Sequence, residues 1–206
     1  LSGGGKENAI PKEAKAVVSV RSCDATTFEQ SIKESEAVWM QEIRATEPYA
    51  KIELEKTDAA ADKVLNSHST ANVIYALWLS PDGVYKMSQE IKGMVQTSLN
   101  LGTAYLDTDK LVYKYLIRSN TAAGKKLLLE RVTTFVKHLS GKVVTMSDYP
   151  AWEYKSDSQL RKICVDSFTN VYGHEPEVTS IHAGLECGIL AGKMPGVDMI
   201  SFGPTL

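Results

Sequence analysis

The sequence predicts an α+β protein: a two-layer sandwich with a mostly antiparallel sheet and helices on one face, in two strand-helix-strand repeats. Three observations predict it. Runs with period-two alternation are interleaved with runs of helical period. Arg-Ser closes a strand before a helix twice, in Val18-Ser19-Val20-Arg21-Ser22 and in Tyr115-Leu116-Ile117-Arg118-Ser119. Two strand-like runs also meet at Asp107-Thr108-Asp109, a polar link of hairpin length. Two copies with two matching letters fit duplication and a common strand-to-helix solution alike.

Taken in order, Gly3-Gly4-Gly5 with Lys6-Glu7 reads as a flexible entry, and Ile10-Pro11 as an extended dipeptide. Residues 14–20 are small and β-branched, which predicts a strand. Thr26 and Glu29 have capping-box spacing, so a helix follows. Its apolar face is Phe28, Ile32, Trp39 and Ile43, with Ser35 as a small polar gap, and it ends near residues 46–48. Residues 49–56 alternate as a half-buried strand does. A helix over 69–80 stops at the turn Ser80-Pro81-Asp82-Gly83. Strands are predicted over 96–105 and 110–118. The helix over 123–139 carries the stripe Leu128, Val132, Phe135, Val136 and Leu139, with Gly141 just beyond. A strand over 142–146 follows. The last helix begins at Ser156 or Asp157 and stops at Gly173, and short strands are expected at 178–181 and 199–202.

Composition bounds the function. The 206 residues are 43% hydrophobic and 23% charged, and 23 Lys+Arg against 25 Asp+Glu leave a net charge of −2. That is the profile of a soluble globular protein with one or two domains. It provides no basic field for nucleic acid. The longest uncharged apolar stretch, around 73–79, falls far short of the roughly 20 residues a spanning helix needs, so no membrane partner is expected. The three cysteines and four histidines show no C-x-x-C or H-x-x-x-H spacing, which argues against a disulfide framework or a zinc module. Sparse cysteine fits a reducing cytoplasm. The start at Leu1 rather than Met suggests a piece of something longer.

Few residues invite chemistry. Arg118 ends an apolar strand, where its guanidinium fork can hold a carboxylate bidentately or simply pair with an acidic neighbour. Asn8 can offer an amide to a ligand, or serve as turn chemistry before Ile10-Pro11. The segment Ile181-His182-Ala183-Gly184-Leu185-Glu186-Cys187-Gly188 is the densest polar cluster, with two glycines that allow close backbone approach to a ligand. His182 and Glu186 share a face if that segment is helical, yet two ligands do not make a zinc site. Cys187 reads better as an inert thiol than as a nucleophile. Tyr149-Pro150-Ala151-Trp152 is a rigid aromatic corner, at a domain junction or lining a pocket.

Together, several strings carry a resemblance. Asn8-Ala9-Ile10-Pro11-Lys12-Glu13-Ala14, Leu116-Ile117-Arg118-Ser119, Tyr149-Pro150-Ala151-Trp152, the string from Ile181 to Gly188 and Met199-Ile200-Ser201-Phe202-Gly203-Pro204-Thr205 occur in the order seen in bacterial aminoacyl-histidine dipeptidases. The chain resembles these Xaa-His, or cytosolic non-specific, dipeptidases of the aminoacylase and carnosinase superfamily across its whole length. It covers less than half of the family's chain. The resemblance implies a lid, or dimerisation, domain over 1–146, followed over 147–206 by an incomplete α/β part of the zinc-binding catalytic domain. It implies a cytoplasmic homodimer that hydrolyses dipeptides with two zinc ions. The ligands of those ions and the catalytic Glu lie outside this chain, which alone is expected to be inactive. Arg118 matches the lid arginine that grips the substrate carboxylate, and Asn8 matches an asparagine that contacts substrate. Gly184 to Glu186 match a loop facing the dipeptide, and the resemblance puts His182 and Glu186 near the site. The alternative is a stand-alone α+β dimerisation or interaction module without catalytic activity.

Overall fold

A computed structural model describes residues 1–57, 63–148, 150–179 and 186–203. Among them lie five α-helices and one open antiparallel sheet, the predicted α+β class. The chain divides into two compact units, residues 16–70 and residues 1–15 with 71–206.

The larger unit is organised by one long strand. β1 (Ser2–Gly3), β2 (Ala14–Lys15), β3 (Gly83–Met87), β4 (Val95–Asp107) and β5 (Lys110–Ser119) form the sheet. β5 covers one edge of β4 along its length, from Asp107 opposite Lys110 to Thr97 opposite Ser119. The other edge is shared. β3 pairs with the first half of β4 and β1 with the second, and β2 continues from β1. The hairpin is the one its polar link predicts, with Thr108 in the left-handed region at φ 41°. β1 corrects the reading of the glycine run as a flexible entry. Ser2 and Gly3 are paired opposite Tyr105 and Ala104, because glycine there admits close approach: a β-carbon on Gly3 would lie 3.1 Å from that of Ala14.

Leu99, Leu128 and Val132 are buried and define the core, with Tyr85, Tyr115, Ile117 and Val136 packed around them. Leu128 and Val132 belong to α3 (Ala122–His138), whose predicted stripe is the face laid on the sheet. Thr121 caps it, its hydroxyl accepting from the Gly124 amide. At the other end Ser140, not Gly141, takes the left-handed conformation, at φ 58°. Arg131 stacks 5.0 Å over the Tyr85 ring. Burial pushes the Tyr115 phenol up to about 12 and raises that of Tyr113 further, so both stay neutral. Tyr115 and Ser80 share a hydroxyl hydrogen bond.

α4 (Gln159–Tyr172) stops at a left-handed Gly173 at φ 77°, as its sequence predicts, but starts later than the expected Ser156 or Asp157, at a Ser158 cap whose hydroxyl accepts from the Arg161 amide. α5 (Glu186–Lys193) lies against Pro150. Gly188 and Gly192 give it room there: β-carbons at those positions would sit 2.9 Å from the Pro150 carbonyl oxygen and 2.6 Å from its ring. The aromatic corner is therefore at least a packing element, with Tyr149 outside the described residues. The strand expected over 142–146 pairs with nothing in the sheet, and Val144 and Met146 are exposed. Residues 178–179 and 199–202 are likewise not strands.

The smaller unit contains the helix Ala25–Ile43, which is α1, entered through a 3-10 turn at Ser22–Asp24. Thr26 lies inside the first turn and not at the cap, and an Arg21–Asp24 ion pair of 2.7 Å braces the entry. Phe28, Ile32, Glu36, Met40 and Ile43 are its half-buried stripe, while Trp39, at the margin of that stripe, is 44% exposed. The alternating segment 49–56 forms no strand. Its Ile52 amide donates to the Glu36 carboxylate at 2.6 Å instead of to a ladder partner. No described residue of this unit is buried. α2 (Ser67–Leu79) spans the division between the units, starts where Asn66 accepts from the Ser69 amide, and buries only Ala76.

Candidate functional site

Arg118 owes its direction to strand alternation. Tyr115 and Ile117 of β5 point at the α3 core, so Arg118 and Leu116 occupy the opposite face. Directly across on β4 are Ser98, opposite Arg118, and Asn100, opposite Leu116. These residues share the sheet face that α3 leaves uncovered. Arg118 is half-buried there.

The Asn8 turn reaches the same face. Asn8 itself is exposed, in a turn that the Ala9 amide closes on the Lys6 carbonyl at 3.3 Å. The Asn100 side-chain amide donates to the carbonyls of Glu7 at 2.8 Å and Ala9 at 3.0 Å. Two residues along β4, Gly102 lets the turn pass, since a β-carbon there would run into the Lys6 and Glu7 backbone. The structure thus holds the turn that contains Asn8 to Asn100 and pairs Arg118 with Ser98, two residues away on β4, while Asn8 itself is not among the residues lining the cleft that Arg118 lines. Ser98 and Asn100, which frame this arrangement, were not singled out by the sequence. The signal available was an isolated glycine inside a strand, a mark of close backbone approach.

Arg118, Ser119 and Asn120 line an open cleft that Glu7 also reaches, with Pro150, Trp152 and Gly188 on its other walls. At about 2410 Å³ it exceeds the ~1,000 Å³ upper range of fitted small-molecule pockets, so it is an open furrow, with Lys114, Lys125, Arg161 and several carboxylates on its walls besides Arg118. The first turn of α3 ties down the segment leading to Trp152. Lys125 pairs with Asp148 at 2.6 Å, and the Ala122 amide donates to the Glu153 carboxylate at 3.2 Å. Further along the cleft, the Leu160 amide, with the Ser158 hydroxyl, holds the Asp198 carboxyl below the usual carboxylate range.

Glu186 opens α5, exposed, and is not among the residues lining this cleft. His182 and Gly184 lie outside the described residues. Cys187 is half-buried, its thiol directed at the Ile200 carbonyl at 3.9 Å. No three His, Cys, Asp or Glu side chains among the described residues come together as metal ligands. The donor set described therefore does not fit a zinc ion.

Comparison with known proteins finds the chain similar to a part of two dipeptidases. It is 29% identical over 207 residues to the cytosol non-specific dipeptidase of Escherichia coli (strain K12), covering 100% of this chain and 42% of that protein. The crystal structure of aminoacylhistidine dipeptidase from Vibrio alginolyticus superposes with a TM-score of 0.91 at 30% identity, covering 99% of this chain and 41% of that one. No protein-family model matches. The chain spans about two fifths of the length of these relatives, and the two matches support a segment of that enzyme family.

Proposed function

We propose that this chain is the lid-bearing segment of a zinc-dependent dipeptidase that hydrolyses Xaa-His and other dipeptides, with Arg118 reading the free substrate carboxylate. The observation that carries this is the convergence of Arg118 and the Asn8 turn on one uncovered sheet face, in a chain that matches dipeptidases from end to end. A free C-terminal carboxylate distinguishes a dipeptide from an internal stretch of a long chain, and a planar guanidinium is its natural reader.

In this reading residues 1–146 form the lid and dimerisation domain, and 147–206 return into the catalytic domain. The zinc ions are held by residues outside this chain. The enzyme is cytoplasmic, in keeping with the cytosolic relative; among the described residues no helix is long and apolar enough to cross a membrane. It works as a homodimer through the lid. Supporting that, α2 exposes Ile74, Tyr75, Trp78 and Leu79, with Trp78 86% exposed. By the family resemblance, the loop of His182, Gly184 and Glu186 is assigned to the substrate side of the uninterrupted protein, where the rest of the catalytic domain completes the site.

Two measurements test the proposal. The isolated 206-residue chain, supplied with zinc, is expected to leave a dipeptide such as Ala-His intact, and turnover would contradict the assignment of the catalytic machinery to residues elsewhere. The uninterrupted protein is expected to hydrolyse it, with Arg118→Ala raising KM by roughly 10- to 150-fold for the loss of a charge-assisted contact. An unchanged KM would remove Arg118 from the site.

A further inference from the structure

We infer that Asn100 is the positioning residue for Asn8: by holding the two carbonyls that flank it, Asn100 sets the direction in which the Asn8 amide meets substrate. The inference rests on the dipeptidase reading above and adds to it a residue that neither touches substrate nor belongs to any of the strings that carry the resemblance.

The need arises from the turn itself. Asn8 is exposed and its turn is closed by one long backbone hydrogen bond, Ala9 to Lys6 at 3.3 Å. A recognition group on so slight a turn gives up most of its binding energy to ordering, unless something fixes the backbone beforehand. Asn100 does this with both protons of one amide, one to Glu7 at 2.8 Å and one to Ala9 at 3.0 Å. With both neighbours pinned, the remaining freedom of Asn8 is chiefly its own side-chain rotamer. Asparagine is the residue type this needs. Aspartate has no donor and would present a charge to two carbonyl oxygens, and leucine of similar size has neither donor nor acceptor.

The anchor is itself rigid. Asn100 lies on β4, flanked by the β5 ladder with Leu116 opposite, and its neighbour Leu99 is among the most buried residues of the core. Ser98, two residues away on the same face, stands opposite Arg118. At about 3.4 Å rise per residue, the anchor of the Asn8 turn and the partner of Arg118 are about 7 Å apart along one strand. Gly102 completes the arrangement by leaving the turn room to lie on β4.

The test is a double-mutant cycle on dipeptide hydrolysis by the uninterrupted protein, with Asn8→Ala, Asn100→Leu and the two combined. Each single variant is expected to raise KM by about 3- to 10-fold with kcat changed by less than twofold, the scale of one neutral hydrogen bond. The combination is expected to be no worse than the worse single variant, because Asn100 acts only through Asn8. KM effects that multiply would overturn the inference, as would a silent Asn8→Ala. Amide exchange checks the fold: in Asn100→Leu the amides of Asn8 and Ala9 should exchange faster while β4 and β5 stay protected. If Asn100→Leu does not fold, Asn100→Asp takes its place in the cycle. A wild-type protein without dipeptide turnover would instead overturn the dipeptidase reading, and this inference with it, before any variant is made.

Discussion

Replacing Gly124 by alanine sets two known effects against each other. Gly124 is the third residue of α3, and alanine is favoured over glycine by about 1 kcal/mol in a helix interior, less in a first turn. Against this, the new methyl would sit 2.6 Å from the Ser119 hydroxyl, 2.7 Å from that of Thr97 and 2.9 Å from that of Thr121. The three hydroxyls are linked, Thr97 to Ser119 at 2.9 Å and Ser119 to Thr121 at 3.4 Å, and Thr121 also caps the helix through the Gly124 amide. Thr97 is 3% exposed, so a hydroxyl pushed off its partner finds no water. Overpacking costs ~1–3 kcal/mol, and disturbing a cap and a buried hydroxyl adds ~1 kcal/mol more. The net expectation is a loss of about 1–3 kcal/mol. In urea unfolding at an m of ~2 kcal/mol/M this lowers the midpoint by about 0.5–1.5 M. Adding Thr97→Ala should relieve part of the loss, since one obstructing oxygen is gone. A midpoint equal to or above that of the parent chain would refute the close packing of α3 against the ends of β4 and β5.

Leu128→Ala, at a side chain 1% exposed in the core, should cost ~2–5 kcal/mol by the same assay. Arg118→Lys keeps the charge and loses the fork, so it should recover only part of the KM deficit of Arg118→Ala in dipeptide hydrolysis. Asp198 is held below its ordinary range, so its carboxylate stabilises the start of α4 above the unfolded carboxyl value of about 3.9. That contribution is lost as pH falls through the lower folded value. The protection of the Leu160 amide, measured as its exchange rate relative to the unfolded-chain rate at the same pH, should therefore fall below about pH 4, and Asp198→Asn should flatten this dependence.

The elements that were legible in the sequence are those whose signals are local and mutually consistent. The stripe of α3, the glycine stop of α4 and the polar link between β4 and β5 each reappear within a few residues of their predicted places. What was not legible depends on partners distant in the chain. Residues 49–56 alternate correctly, yet a strand exists only as part of a ladder, and the Glu36 carboxylate takes the Ile52 amide. Ser2 and Gly3 looked flexible because their order comes from β4, a hundred residues on. Gly83–Met87 went unremarked between a turn and β4, its five residues too few to establish a period. At the site, Arg118 and Asn8 were visible as residue types and through the family resemblance. Their shared sheet face was not, because it follows from register and from the grip of Asn100.

The central claim, that this chain contributes the reader of the substrate carboxylate, is tested most directly by comparing a dipeptide with its C-terminal amide as substrates of the uninterrupted protein. Wild type should prefer the free acid by roughly 10- to 150-fold in kcat/KM. Arg118→Ala should lose that preference while still hydrolysing both. Equal rates on acid and amide in wild type, or a preference that survives in Arg118→Ala, would contradict the account.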